Sequence, residues 1–169
     1  MKYDTRPQKL PDIISIEEFN ELLKVTKKPH HRLAFKLGFL CGLRISEVIK
    51  LKPDDVDPNR KMLFIQDAKG GKDRYVPFPS ALSRDLKFLP FKIGKRAIQK
   101  AISLLSEKAL KNKIHFHTLR HSAATYYIHK GMDVRYVQQL LGHSNLNTTQ
   151  IYTHISPDNL QNKMDEIWK

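Results

Sequence analysis

Cysteine is nearly absent: Cys41 stands alone in the apolar run LAFKLGFLCGL, so no internal disulfide can form, and a small buried side chain in a reducing cytoplasm is expected. Long apolar runs are missing too, because Lys36 interrupts the best candidate and MKYDTRPQKLPD has no apolar centre. Neither a membrane-spanning helix nor a signal peptide is expected. Acid is the third scarcity. Seventeen Asp and Glu face thirty Lys and Arg, and the formal charge of +13 favours a polyanionic partner, nucleic acid foremost. Internal repeats and low-complexity tracts are also lacking, and 169 residues suffice for one domain with a real core.

What is present reads as a mainly α-helical α+β domain with one small antiparallel sheet. Residues 1–14 carry charges and two prolines without periodicity, as a leader or linker remnant would, and the folded domain is expected over 15–169. SIEE, from Ser15, is a capping box opening a helix that buries Phe19, Leu22 and Leu23 and runs to about Thr26. A second helix, about His31 to Cys41, ends at Gly42, and Ser46 is expected to cap a short third one that stops before Pro53. Met62 to Gln66 and Arg74 to Phe78 read as strands joined through Gly70-Gly71, a hairpin with a basic tip. Helical patterns return in ALSRDLKFL, from about Lys95 to Ala109, and at Thr118–His129, Val134–Leu141, Thr148–His154 and Asn159–Ile167. In a tail helix over about 158–168, Leu160, Met164, Ile167 and Trp168 form an apolar stripe.

Basic side chains recur where the structure is expected to change: Arg44 after a Gly-Leu break, Lys69 and Lys72 at the hairpin tip, His117 and Arg120 at a helix start. Each has an ordinary explanation alone, since Arg44 can pair with Glu47 and a hairpin lysine is usually solvated. Together they offer cations and imidazoles without a carboxylate cluster, a set better matched to a phosphate in transit than to Mg²⁺. His117 and His121 also lie one helical turn apart, as two zinc ligands can, but a third from His115, His143 or Cys41 is not demanded by spacing. DVRYVQQLLGHSNLNTTQIYTH has a second reading as a helix-turn-helix, in which Tyr152 only donates to a phosphate. Tyr75, Tyr126, Tyr127 and Tyr136 are equally available phenols by composition and spacing.

In order, GLRISEV, KGGKDRYVP and HTLRHSAATYYIHKGMDVRYVQQLLGHSNLNTTQIYTH resemble the catalytic motifs of tyrosine recombinases of the Xer and phage-integrase type, over about residues 15–157. The resemblance implies Arg44 and Arg120 as an arginine pair on a scissile phosphate and Lys69 as the hairpin lysine that protonates the leaving oxygen. It implies His117 and His143 as the site histidines, Tyr152 as nucleophile and Glu47 as the acidic residue that steadies the site. Lys72, Arg74, Thr118 and His121 are expected to contact DNA. No metal, cofactor or ATP is expected. The partner implied is double-stranded DNA, bound by a nucleoid-associated tetramer whose protomers are monomers when free, with the tail helix exchanged between neighbours. Relatives of this type carry a further N-terminal domain, which fourteen residues cannot supply, so a catalytic domain alone is expected.

Elementary chemistry is compatible with those roles. A phenol of pKa ~10 is ionised to roughly one part in a thousand at neutral pH, so Tyr152 needs a proton acceptor and a positive field. Guanidinium forks can stabilise the charge that grows on the non-bridging oxygens without a metal ion.

Overall fold

A computed structural model describes residues 12–66, 73–142 and 157–169. Helix α1 (Ile16–Val25) starts with the reciprocal cap expected from its sequence: the Glu18 N–H donates to Ser15 Oγ at 3.2 Å, and the Ser15 N–H donates to Glu18 Oε2 at 2.8 Å. Its apolar face buries Phe19, Leu22 and Leu23, and the Phe19 ring stacks on Phe39 at 4.1 Å.

Phe39 belongs to α2 (Pro29–Leu40), which begins on a proline whose missing N–H costs nothing in a first turn. This helix is wrapped on all sides, with Leu33, Ala34, Phe35, Leu37, Phe39 and Leu40 buried, so its burial exceeds the single leucine stripe expected from spacing. The charge of Lys36 is met inside the fold by Asp85. Cys41 is fully buried at the end of α2, and burial drives its thiol far above the ordinary range. The chain then turns at Gly42, where φ is +63° and an added Cβ would lie 2.5 Å from Leu141 Cδ2. Both the backbone angle and the space require glycine there.

Helix α3 (Ile45–Val48) is a single turn, with Arg44 rather than Ser46 at its N-cap position. The sheet follows in the order β1 (Val56–Asp57), β2 (Met62–Ile65), β3 (Arg74–Pro77), antiparallel throughout, with Leu63 opposite Val76 and Ile65 opposite Arg74. Leu63, Ile65 and Val76 enter the core, while Phe64 and Tyr75 pair on the outer face at 5.3 Å.

The ALSRDLKFL stretch is not an α-helix. It forms two 3₁₀ turns, Ser80–Leu82 and Leu86–Phe88, closed by i→i+3 bonds such as Leu82 N–H to Pro79 O and Phe88 N–H to Asp85 O. Pro90 holds Leu89 in extended backbone, and Asp85 is turned to Lys36. Helix α4 (Lys95–Leu110) packs on α1, α5 (Phe116–His129) on α2, and α6 (Val134–Leu141) on α5.

Helix α7 (Pro157–Ile167) docks on its own domain against β3, burying Leu160 and Met164 completely. Lys61 pairs with Asp165 at 3.3 Å. Just beyond the helix, the Trp168 indole N–H donates to Tyr127 Oη at 3.0 Å, and Tyr127 in turn donates to the Leu40 carbonyl. No helix among the described residues is long and apolar enough to cross a membrane.

Candidate active site

The short helix α3 explains why an arginine and a glutamate stand three residues apart. Arg44 has extended backbone at the N-cap, and Glu47, in the third helical position, reaches back to accept the Arg44 N–H at Oε2, 2.8 Å. The same carboxylate takes Arg44 Nη1 on Oε1 at 3.2 Å. Arg74, at the start of β3, closes the opposite side with a two-point fork, Nη1 to Oε1 at 2.8 Å and Nη2 to Oε2 at 3.2 Å. Four donors therefore occupy the roughly four acceptor directions of one carboxylate. Burial alone raises the Glu47 pKa, but the hydrogen bonds and charge of Arg74, then those of Arg44, outweigh it and hold the group below the usual carboxylate value.

Arg120 arrives from α5, whose inner face is fixed on α2 by Phe116, Leu119 and Ala123. Only 3 % of the residue is exposed. Its guanidinium donates to the Gly42 carbonyl at 2.6 Å and to the Leu141 carbonyl at 2.7 Å. These oxygens lie at the C-terminal ends of α2 and α6, where carbonyls lack helical partners and the helix dipoles favour a cation. Burial, then the like charges of Arg44 and Arg74, push the Arg120 pKa down to about 10, while Glu47 opposes them. At neutral pH the group remains charged. The two bonds leave most of the five guanidinium N–H donors for other acceptors.

His117 and His121 project from the first turns of α5 with their rings edge to face, 4.4 Å apart. Beside them runs a groove lined by Arg44, Ser46, Lys95, Gln99, Lys100 and His117, and none of the residues that line it is a carboxylate. The polar flank of α4 supplies Lys95, Gln99 and Lys100, which sequence reasoning passed over. Their only signal was a basic first turn that looks like any solvated helix face.

Two residues expected to contact DNA have side chains engaged within the protein. The Arg74 guanidinium is turned inward and committed to Glu47, with only 12 % of its side chain exposed. Thr118 is buried at 6 % exposure, and its hydroxyl receives the His115 N–H at 3.4 Å, tying the start of α5. His121 is half-buried beside His117. Ser122, near a histidine in sequence, donates to Thr118 O and accepts the Ile14 N–H. No three His, Cys, Asp or Glu side chains converge as a metal site among the described residues. Lys69, Lys72, His143 and Tyr152 lie outside the described residues, as do the expected helix at Thr148–His154 and the hairpin tip.

Burial pushes Tyr127 well above its ordinary pKa, and Tyr126 is raised by burial and then by the Glu17 charge, the wrong direction for a phenolate. Tyr75 stands on the outer face of the sheet, and Tyr136 packs against the core.

Fold and site together define a mainly helical domain in which Arg44 lines a carboxylate-free groove and the buried Arg120 lies within electrostatic reach of it. The sequence matches the phage integrase family over residues 13–90 and 91–159, and the chain belongs to that family. It is 36% identical to the tyrosine recombinase XerA of Thermococcus kodakarensis, over 95% of this chain and 64% of that protein. The crystal structure of XerA recombinase superposes with a TM-score of 0.74 at 28% identity, covering 92% of this chain and 65% of that one. XerH site-specific recombinase bound to palindromic difH substrate, a post-cleavage complex, matches with a TM-score of 0.70 at 25% identity, over 95% of this chain and 54% of that one. The chain thus spans less than two thirds of the length of these relatives.

Proposed function

We propose that this domain cuts and rejoins DNA strands through a 3′-phosphotyrosyl intermediate, as the catalytic part of a site-specific recombinase. The observation that carries the reading is the charge arrangement: Arg44 lines a groove together with two lysines and two histidines but no carboxylate, and Arg120 lies within electrostatic reach of Arg44. Such a cradle attracts a phosphodiester and stabilises the charge of a five-coordinate phosphorus without a metal ion.

In this reading the Tyr152 phenol loses its proton to a site histidine, His117 or His143, and its oxygen attacks phosphorus. The bond from phosphorus to the 5′ oxygen breaks, and Lys69 delivers a proton to that oxygen. Arg44 and Arg120 hold the non-bridging oxygens. Reversal by a 5′ hydroxyl restores the phosphodiester and frees Tyr152, so no external energy source enters. The relation to the site-specific recombinase XerH, crystallised with its palindromic difH substrate, supports duplex DNA as the partner.

The finer proposals are relaxation of supercoiled DNA by the isolated domain, as a type IB topoisomerase does, and a tetramer on DNA formed from free monomers with exchange of α7. Removal of residues 158–169 tests the exchange through multimer assembly on DNA. The central experiment incubates the protein with a nicked, site-containing duplex, followed by denaturing electrophoresis and peptide mapping. A covalent adduct at Tyr152, abolished by Tyr152→Phe with DNA binding retained, is expected. Retained binding without any adduct from the wild-type chain overturns the reading.

A further inference from the structure

Glu47 touches two arginines with unequal surroundings. Arg44 is the more open of the two at 37 % side-chain exposure and lines the groove, whereas Arg74 is 12 % exposed and does not. Left with Arg44 alone, a buried carboxylate draws that guanidinium into a closed ion pair and cancels its charge. Arg74 prevents this by taking the shorter contact to Oε1 and a second to Oε2, so that Arg44 holds the carboxylate through its backbone N–H and a single 3.2 Å contact.

Arg74 is locked in this role from its other side. Gly142, at the left-handed C-cap of α6 with φ +64°, lies so close that an added Cβ would be 2.7 Å from both Arg74 Cζ and Nε. Among the described residues both Nη groups bond to Glu47 while the buried Nε–H has no hydrogen-bond partner. Arg120 holds the carbonyl of Leu141, the residue before Gly142. One charged layer thereby joins the start of β3, the turn of α3 and the end of α6.

We infer that Arg74 is a positioning residue: it occupies Glu47 so that Arg44 keeps its positive charge and its orientation toward the groove. Among these four groups, three guanidiniums face one carboxylate, and removing Arg74 lowers the net charge from +2 to +1. The inference rests on the strand-cleavage reading, because Arg44 is taken as a phosphate ligand.

The test compares wild type, Arg74→Gln, Arg74→Lys and Arg74→Gln/Glu47→Gln. Three readouts are taken: single-turnover adduct formation on a nicked duplex at saturating protein, DNA affinity, and the ¹³C titration of the Glu47 carboxyl. Arg74→Gln is expected to slow adduct formation roughly 10- to 100-fold, the range typical of residues that orient a direct ligand, with little change in affinity. Its Glu47 midpoint moves up. Arg74→Lys recovers part of the rate, and the double variant, restored to net +2, reacts faster than Arg74→Gln. An Arg74→Gln protein at wild-type rate, a loss confined to affinity, or a double variant no faster than the single one overturns the inference. If Arg74→Gln fails to fold, Arg74→Lys decides: a raised Glu47 midpoint with wild-type rate, or an unmoved midpoint with a slowed rate, is the overturning result. Absence of adduct from wild type defeats the cleavage reading, whereas an unmoved Glu47 midpoint in folded Arg74→Gln defeats only the assignment to Arg74.

Discussion

Helix α2 and the Arg120 side chain packed at its end are buried to nearly the same degree but by opposite means. Leu37 and Phe39 are fully buried among carbon, and Arg120 is 3 % exposed among carbonyl oxygens and other charges. In α2, any packing that fills the volume removes apolar surface from water, so the sequence has latitude. In the charged layer each donor answers to a particular acceptor, and a misplaced one leaves a buried charge uncompensated. The first region holds the fold together, and the second spends part of that stability on a preorganised positive field.

Three perturbations distinguish the two regions, in falling order of consequence. Phe39→Ala removes the ring stacked on Phe19 and is expected to lower unfolding free energy by about 3–5 kcal/mol in urea titration. Adduct formation per folded molecule should hardly change. Arg120→Lys inverts the pattern: a lysine carries the charge but cannot fork between Gly42 O, Leu141 O and a phosphate. Its adduct rate should fall by roughly 10²- to 10³-fold, a catalytic loss larger than its loss of stability. A similar cost in both quantities would erase the distinction between the regions.

The smallest effect concerns acid. Since the folded Glu47 pKa is depressed below 4.5, the group contributes stability that is complete above that value and is lost as pH falls through the folded one. Glu47→Gln is expected to flatten that acid limb of the stability profile, measured by urea midpoints between neutral and acidic pH. Phe39→Ala should leave the shape of the limb intact.

The contrast also tells what sequence reading could reach. The α1 cap, the extent of α6 and the apolar tail stripe were legible because each depends on residues within a few positions of one another. Arg44 and Glu47 were legible as a pair for the same reason. The inward turn of Arg74 was not, since it follows from Glu47 lying twenty-seven residues earlier and from the space left by Gly142. Arg120 was legible as a basic residue at a helix start, but its seat on the ends of α2 and α6 depends on how three helices meet. β1 escaped because two residues give no period to detect, and ALSRDLKFL misled because its apolar spacing suits a helix while Asp85 answers to the distant Lys36 and Pro90 keeps Leu89 extended.

Trp168 is the sole indole of the chain, and its ring lies against Tyr126 while its N–H meets the hydroxyl of Tyr127. Intrinsic emission excited at the red edge is therefore a label-free gauge of whether the C-terminal segment stays seated on its own protomer. A stopped-flow trace on mixing with duplex can follow that one signal in real time, with no dye attached.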